Sequence, residues 1–184
     1  MQINGVEIML DNLRADFARI ANPQSGLLRK VFLVLSNYGF QAIAVYRFGK
    51  FANQVRTPGL SHFLKLLYLI GKILIEILFG ISIDVNSTIG PGFYIGHFGA
   101  IIIRGDFGRN CSLGQGVTVG SKGAGKSDGW PVLGDNVFLG AGAKIIGRIH
   151  IGNNVVVGAN AVVVKDVPDN MLAAGVPAQY RSLG

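Results

Sequence analysis

From Ile83 onward the chain repeats every six residues. Counting in sixes, Ile83, Ile89, Ile95, Ile101, Phe107, Leu113 and Val119 are apolar, and after one frame shift so are Leu133, Leu139, Ile145, Ile151, Val157 and Val163. In nine of these thirteen the next residue is glycine, and in most the fourth residue on is small or aliphatic, as at Ser87, Cys111, Val117 and Ala143. A period of six is neither helical nor that of a simple hairpin. It fits short flat strands, each sending one aliphatic inward, joined by tight turns that need permissive backbone. Three such strands make a triangular coil, so thirteen hexads predict about four stacked coils, a prism ~20 Å tall at the ~4.8 Å spacing of paired strands. Val119 to Leu133 is fourteen residues, two more than two hexads. A loop over 121–131 must therefore leave the coil, and functional groups on rigid scaffolds concentrate on such loops.

Ahead of residue 83 the pattern is helical. Residues 31–52 and 60–79 are long, largely apolar runs without proline, separated by Thr57-Pro58-Gly59, and read as a helix pair. Within the second run Ser61, Lys65, Lys72 and Glu76 share one polar stripe on an otherwise apolar cylinder. That helix is expected to be mostly covered, either by the rest of the protein or a sister subunit, or by lying in a membrane interface. Three charges inside the run argue against a membrane span. The expected organisation is a helical segment over 1–82, a solenoid over 83–168 with the loop 121–131, and a tail over 169–184.

Composition sharpens this division. The 184 residues hold 27 glycines, seven in the first 82 and twenty in the remaining 102. Hydrophobic residues make up 49% and charged residues 15%, and the mean hydropathy is +0.43, which excludes intrinsic disorder. The net charge of +7 is concentrated in front, where nine basic residues face four acidic ones. Such a balance suits an anionic partner, whether a phosphorylated cofactor, an acidic polymer or a lipid headgroup. No nucleic acid is expected, because the cations are scattered singly and no nucleic-acid motif accompanies them. One cysteine, Cys111, precludes an internal disulfide, and Glu7, Asp11 and Asp16 do not suit a signal peptide. The expected location is the cytoplasm, with the inner face of the membrane as the alternative.

The hexads, opening with Ile-Gly and closing with Ala174-Gly175-Val176-Pro177-Ala178, resemble those of the hexapeptide-repeat acyltransferases. Val117-Thr118-Val119-Gly120, the loop after it, and the run from Leu139-Gly140-Ala141-Gly142 to Gly147 are similar to the serine acetyltransferase branch. Met9-Leu10-Asp11-Asn12-Leu13-Arg14-Ala15 and Phe79-Gly80 resemble its exopolysaccharide members of the colanic-acid type. The resemblance implies an all-β solenoid, a left-handed parallel β-helix, working as a homotrimer with the active site between subunits. It implies acetyl-CoA as donor, a hydroxyl as acceptor and no metal. The family's catalytic histidine falls on His97, in Gly96-His97-Phe98-Gly99. An imidazole near pKa 6.5 can take a proton from a hydroxyl as the oxygen attacks a thioester. The donor contacts fall on Gly120, Ser121, Gly123, Ala141 and Gly142, with Lys126, Lys144 and Arg181 as candidate cations for its phosphates. His62 and His150 lack such support and read as structural.

Three departures bear on the acceptor. Gly96 stands where the serine enzymes have an aspartate, Ser82 where they have a second one, and Asp128-Gly129-Trp130-Pro131 where they read Asp-Arg-His-Pro. The charges an amino acid needs are missing at those positions, and the indole of Trp130 could stack on a sugar ring. With Trp130, Asp84 and Ser82 as candidate acceptor contacts, and Asp84 either substituting for the carboxylate beside His97 or pointing to solvent, the expected acceptor is a carbohydrate of a surface polysaccharide. Serine is the second reading, and a non-catalytic membrane-docking or assembly subunit the third. Residues 120–127 also match the phosphate-loop pattern GxxxxGK[ST], but Asp128-Gly129-Trp130-Pro131 follows where that loop requires a helix.

Overall fold

The computed structural model describes residues 2–123 and 129–183. Among them are four helices, α1 (Gln2–Ala18), α2 (Leu27–Ser36), α3 (Tyr38–Gln54) and α4 (Leu60–Phe79), where the apolar runs predict two. The run over 31–52 breaks at Asn37, whose side chain accepts the Phe40 N–H at 2.8 Å and caps α3. Gln41 Nε2 closes the end of α2 by donating to the carbonyls of Val34 and Leu35. Apolarity is continuous through this break, and only the capping chemistry marks it.

The solenoid follows in chain order. Its first coil is β1 (Ile81–Ile83), β2 (Thr88–Ile89) and β3 (Tyr94–Ile95). The second is β4 (Ile101–Ile103), β5 (Asp106–Phe107) and β6 (Ser112–Leu113), and the third β7 (Thr118–Gly120), β8 (Val132–Leu133) and β9 (Phe138–Leu139). The fourth is β10 (Lys144–Ile146), β11 (His150–Ile151) and β12 (Val156–Val157). A fifth coil runs through β13 (Val162–Val163), a bridge from Val167 to Ile151, and β14 (Met171–Gly175), before β15 (Ala178–Ser182) turns back antiparallel to β14. The strands form three parallel faces: β1-β4-β7-β10-β13, then β2-β5-β8-β11, then β3-β6-β9-β12-β14. All thirteen hexad aliphatics are buried inside the prism.

The coils number five, not four, because hexad counting stops at Val163 while pairing continues. Val157 pairs with Ala173, sixteen residues on, where Leu139 pairs with Val157 at eighteen. The expected boundary at 168 thus falls inside the last coil. A subtler shift lies in the first two coils. Ile83 pairs with Ile103, and Ile103 with Val119, so the step from Ile95 to its counterpart Ile103 is eight residues where Leu113 to Val119 is six. The next step, Ile103 to Phe107, is four. The two irregularities cancel in the count, and the two extra residues lie in the turn that carries His97.

Backbone stacks on backbone at the corners. A Cβ on Gly140 would sit 2.6 Å from the Ala159 nitrogen and 2.9 Å from the Val157 oxygen, which is why glycine follows the inward aliphatic. Other corners use asparagine in the left-handed region, at Asn110, Asn136, Asn154 and Asn170. Their amides form a ladder between coils, at 3.4, 3.0 and 2.9 Å.

Helix α3 lies over the first coil and supplies donors to its free carbonyls. Tyr46 Oη donates to Ser87 O at 2.6 Å. Arg47 donates to Ile89 O and, at 2.7 Å, to Gly90 O. Burial pushes the Tyr46 phenol up to about 12, so it remains a neutral donor. The buried carboxylate of Asp16 on α1 accepts from Arg47 Nε at 3.0 Å and from the Phe93 N–H at 2.8 Å.

Helix α4 is not covered by the described residues of its own chain, which leaves a sister subunit or a membrane interface of the covers expected. Its polar stripe faces the protein: Ser61 is buried, Lys72 reaches Glu76 at 3.6 Å, and Glu76 accepts from Ser82 Oγ at 2.6 Å. Its aliphatic face points outward.

Cys111 is fully buried in its turn, and burial pushes its thiol up to about 11. A thiol kept neutral and covered does not meet reagents. We expect negligible labelling by a disulfide reagent at pH 8 in the native protein and stoichiometric labelling after unfolding; rapid native labelling would contradict the packing.

Candidate active site

The topology distributes the candidate residues over two edges of the prism. His97 lies in the turn from the third face to the first, in coil one, and Ala141 and Gly142 lie in the corresponding turn of coil three. Asp84, Gly120, Ser121, Gly123 and Trp130 lie at the edge between the first and second faces, with Ser82 on the outer side of β1. One chain therefore presents two half-sets of groups.

At the first edge, His97 is exposed, and no described residue hydrogen-bonds or pairs with it. Its position is fixed by neighbours. Phe98 packs edge-on to Tyr38 with centroids 5.0 Å apart, and Tyr38 stacks on Phe79 at 4.4 Å. Gly99 and Ala100 take positive φ, 105° and 53°, turning the chain back into β4. Among the described residues of this chain, no carboxylate pairs with His97. Ser82 is committed to Glu76, and Asp84 lies 3.4 Å from Arg104 Nε and accepts from the Asn86 backbone at 2.8 Å.

The second edge carries charges that the sequence reading missed. Trp130 Nε1 donates to Asp106 Oδ2 at 2.9 Å, and the Arg104 guanidinium lies over the indole, 5.3 Å from its centroid. Arg104 also pairs with Asp84. The stem of Arg148 lies against Gly129, 3.3 Å from where a Cβ would stand. Arg104 thus brings a guanidinium to the loop from a neighbouring coil, and Asp84 and Asp106 supply carboxylates beside it. The indole is held between Asp106 and Arg104, so it is one wall of a charged corner and not an open sugar platform. The missing signal was spatial: β5 lies two residues early in register, which sets Arg104 and Asp106 at the foot of the loop.

For the donor, positions 120 and 123 border open space, with no atom within 4 Å of a Cβ at either. The Gly142 N–H donates to Gln115 O at 2.7 Å, and Ala141 O accepts from the Asn160 N–H at 2.8 Å. These backbone groups hold coils together and can offer a ligand only their exposed flank. Lys144 Nζ donates to Gly116 O and, at 3.1 Å, to Thr118 Oγ1; it is tied to the coil and not extended for a phosphate. Arg181 sits exposed on β15, over the third face. Lys126 lies outside the described residues, as do parts of the loop 121–131 and of the phosphate-loop match.

Comparison with known proteins agrees with this architecture. The bacterial transferase hexapeptide (six repeats) family matches residues 131–165, and such repeats wind as a left-handed β-helix. A serine acetyltransferase of Synechococcus elongatus is 34% identical over 181 residues, 95% of this chain and 70% of the relative. One from Mycobacterium tuberculosis is 40% identical over 106 residues, covering 56% of this chain and 46% of the relative. Among solved structures, a serine acetyltransferase in complex with CoA superposes with a TM-score of 0.78 at 28% identity, covering 98% of this chain and 72% of that one. The Brucella abortus enzyme gives 0.77 at 27% identity, covering 93% and 68%. These findings overturn the carbohydrate acceptor and the exopolysaccharide branch expected from Gly96, Gly129 and Trp130. That expectation judged the acceptor by charges at fixed sequence positions, whereas Arg104, Asp84 and Asp106 bring charge to the corner beside Gly129 and Trp130 from other coils. With the likeness running through both the helices and the solenoid, this chain belongs to the serine acetyltransferase family of hexapeptide-repeat acyltransferases.

Proposed function

We propose that this protein transfers an acetyl group from acetyl-CoA to the hydroxyl of serine. The observation that carries the reading is the 34% identity to a serine acetyltransferase over 95% of the chain. His97 is the general base. Its imidazole takes the hydroxyl proton as the serine oxygen bonds to the thioester carbonyl carbon, and the carbonyl becomes an oxyanion. Collapse breaks the C–S bond, and the imidazolium returns the proton to the departing sulfur, giving O-acetylserine and CoA. The charged corner supplies recognition: Arg104 binds the carboxylate of serine, and Asp84 and Asp106 attract its ammonium. Because His97 and this corner lie on different edges of one chain, the complete site forms where the first edge of one copy meets the second edge of the next, in a homotrimer.

Thiol release from acetyl-CoA should depend on L-serine. Arg104→Ala should raise the KM for serine roughly tenfold, the effect of one partly solvated charged hydrogen bond, with the KM for acetyl-CoA unchanged. Absence of serine-dependent release would remove the acceptor assignment, and an unchanged serine KM would remove Arg104 from it.

A further inference from the structure

Independently of the reaction, the helical segment presents an apolar surface that none of the described residues covers. Of the twenty residues of α4 only Ser61 and Ile75 are buried, while Phe63, Leu66, Ile77 and Leu78 are exposed, Ile77 at 75%. Helix α2 buries none of its residues, and its Leu28 is 86% exposed. The end of α2 is brought near the end of α4 by Tyr38, the first residue of α3, which stacks on Phe79. Scattered exposed leucines are ordinary, but two helices of one segment with their aliphatic side chains exposed are not.

Charge identifies the occupant. Between residues 17 and 75 the chain carries eight basic residues and no acidic one. Arg47 is buried against Asp16, but Arg29, Arg56 and Lys65 are exposed on or beside α2 and α4. A second copy of this surface would bring cations against cations. No helix among the described residues is long and apolar enough to cross a membrane. Aliphatic side chains flanked by unopposed cations suit the boundary between acyl chains and anionic headgroups. We propose that α2 and α4 dock this protein on an anionic lipid bilayer, Leu28, Phe32, Ile77 and Leu78 entering the acyl boundary and Arg29 and Arg56 meeting the headgroups. The Phe98 turn, packed on Tyr38, places His97 beside that surface.

Cosedimentation of the full chain with vesicles tests this. Vesicles containing about 30% phosphatidylglycerol in phosphatidylcholine should bind the protein at least tenfold better than phosphatidylcholine alone, and 0.5 M salt should weaken the binding. Ile77→Ser with Leu78→Ser changes only exposed positions and should lower binding by tenfold or more without altering the thermal melt. Failure to bind anionic vesicles, or equal binding by the double variant, would overturn the proposal. So would loss of a solution oligomer by the double variant without vesicle binding, which assigns the face to a second copy.

Discussion

His97→Ala is expected to slow acetyl transfer by 10²- to 10⁴-fold, about 3–5 kcal/mol of barrier, with the melt unchanged. The side chain is exposed and touches no described residue by hydrogen bond or ion pair, so its removal leaves no buried group unsatisfied. The turn is held by Phe98 against Tyr38 and by the positive φ of Gly99 and Ala100, none of which depends on the imidazole. Acetyl-CoA affinity should therefore persist while kcat falls. A variant that retains full kcat would show that the proton leaves by another route.

The second large effect is on stability. Asp16 and Arg47 are almost wholly buried, and the pair holds three parts of the molecule: α1, α3 and the first coil, through Phe93 N, Ile89 O and Gly90 O. Asp16→Ala leaves an unpaired guanidinium in an apolar interface and should cost about 3–5 kcal/mol. Asp11→Ala provides the contrast, since its partner Arg14 is 2.9 Å away but the side chains are 70% and 77% exposed, and it should change the melt by under about 1 kcal/mol. Replacing both buried partners with aliphatics, Asp16→Leu with Arg47→Met, should recover much of the loss. Equal melts for Asp16→Ala and the native chain would show that helices and solenoid are joined by other means.

Much of this fold was legible because burial in a triangular coil imposes a period on the sequence itself. Every hexad aliphatic from Ile83 to Val163 is inside. What hid was whatever the period does not govern. Ile101 satisfies the count, yet Ile103 is the residue that aligns with Val119, because an insertion of two and a deletion of two cancel. The Asn37 cap interrupts an apolar run without changing its apolarity. The polar stripe on α4 was visible, but a stripe does not say which side faces the protein, and here the polar side does. At the site, His97 was found from its motif, whereas Arg104 and Asp106 flank Trp130 only because register brings separate coils together. The Asp16–Arg47 pair spans 31 residues of sequence and has no local signature.

The two closed ends of the solenoid have a consequence for how the molecule survives at high concentration. A stack of parallel strands is an open template: each terminal coil offers a row of unpaired N–H and C=O groups to any extended segment that arrives, as in cross-β fibres. Here Tyr46 and Arg47 occupy the carbonyls of the first coil, and β15 runs antiparallel along β14, out of phase with any further parallel coil. The chain thus obstructs strand addition on the second face of its first coil and the third face of its last, which works against end-to-end stacking of a fold built like a fragment of fibril.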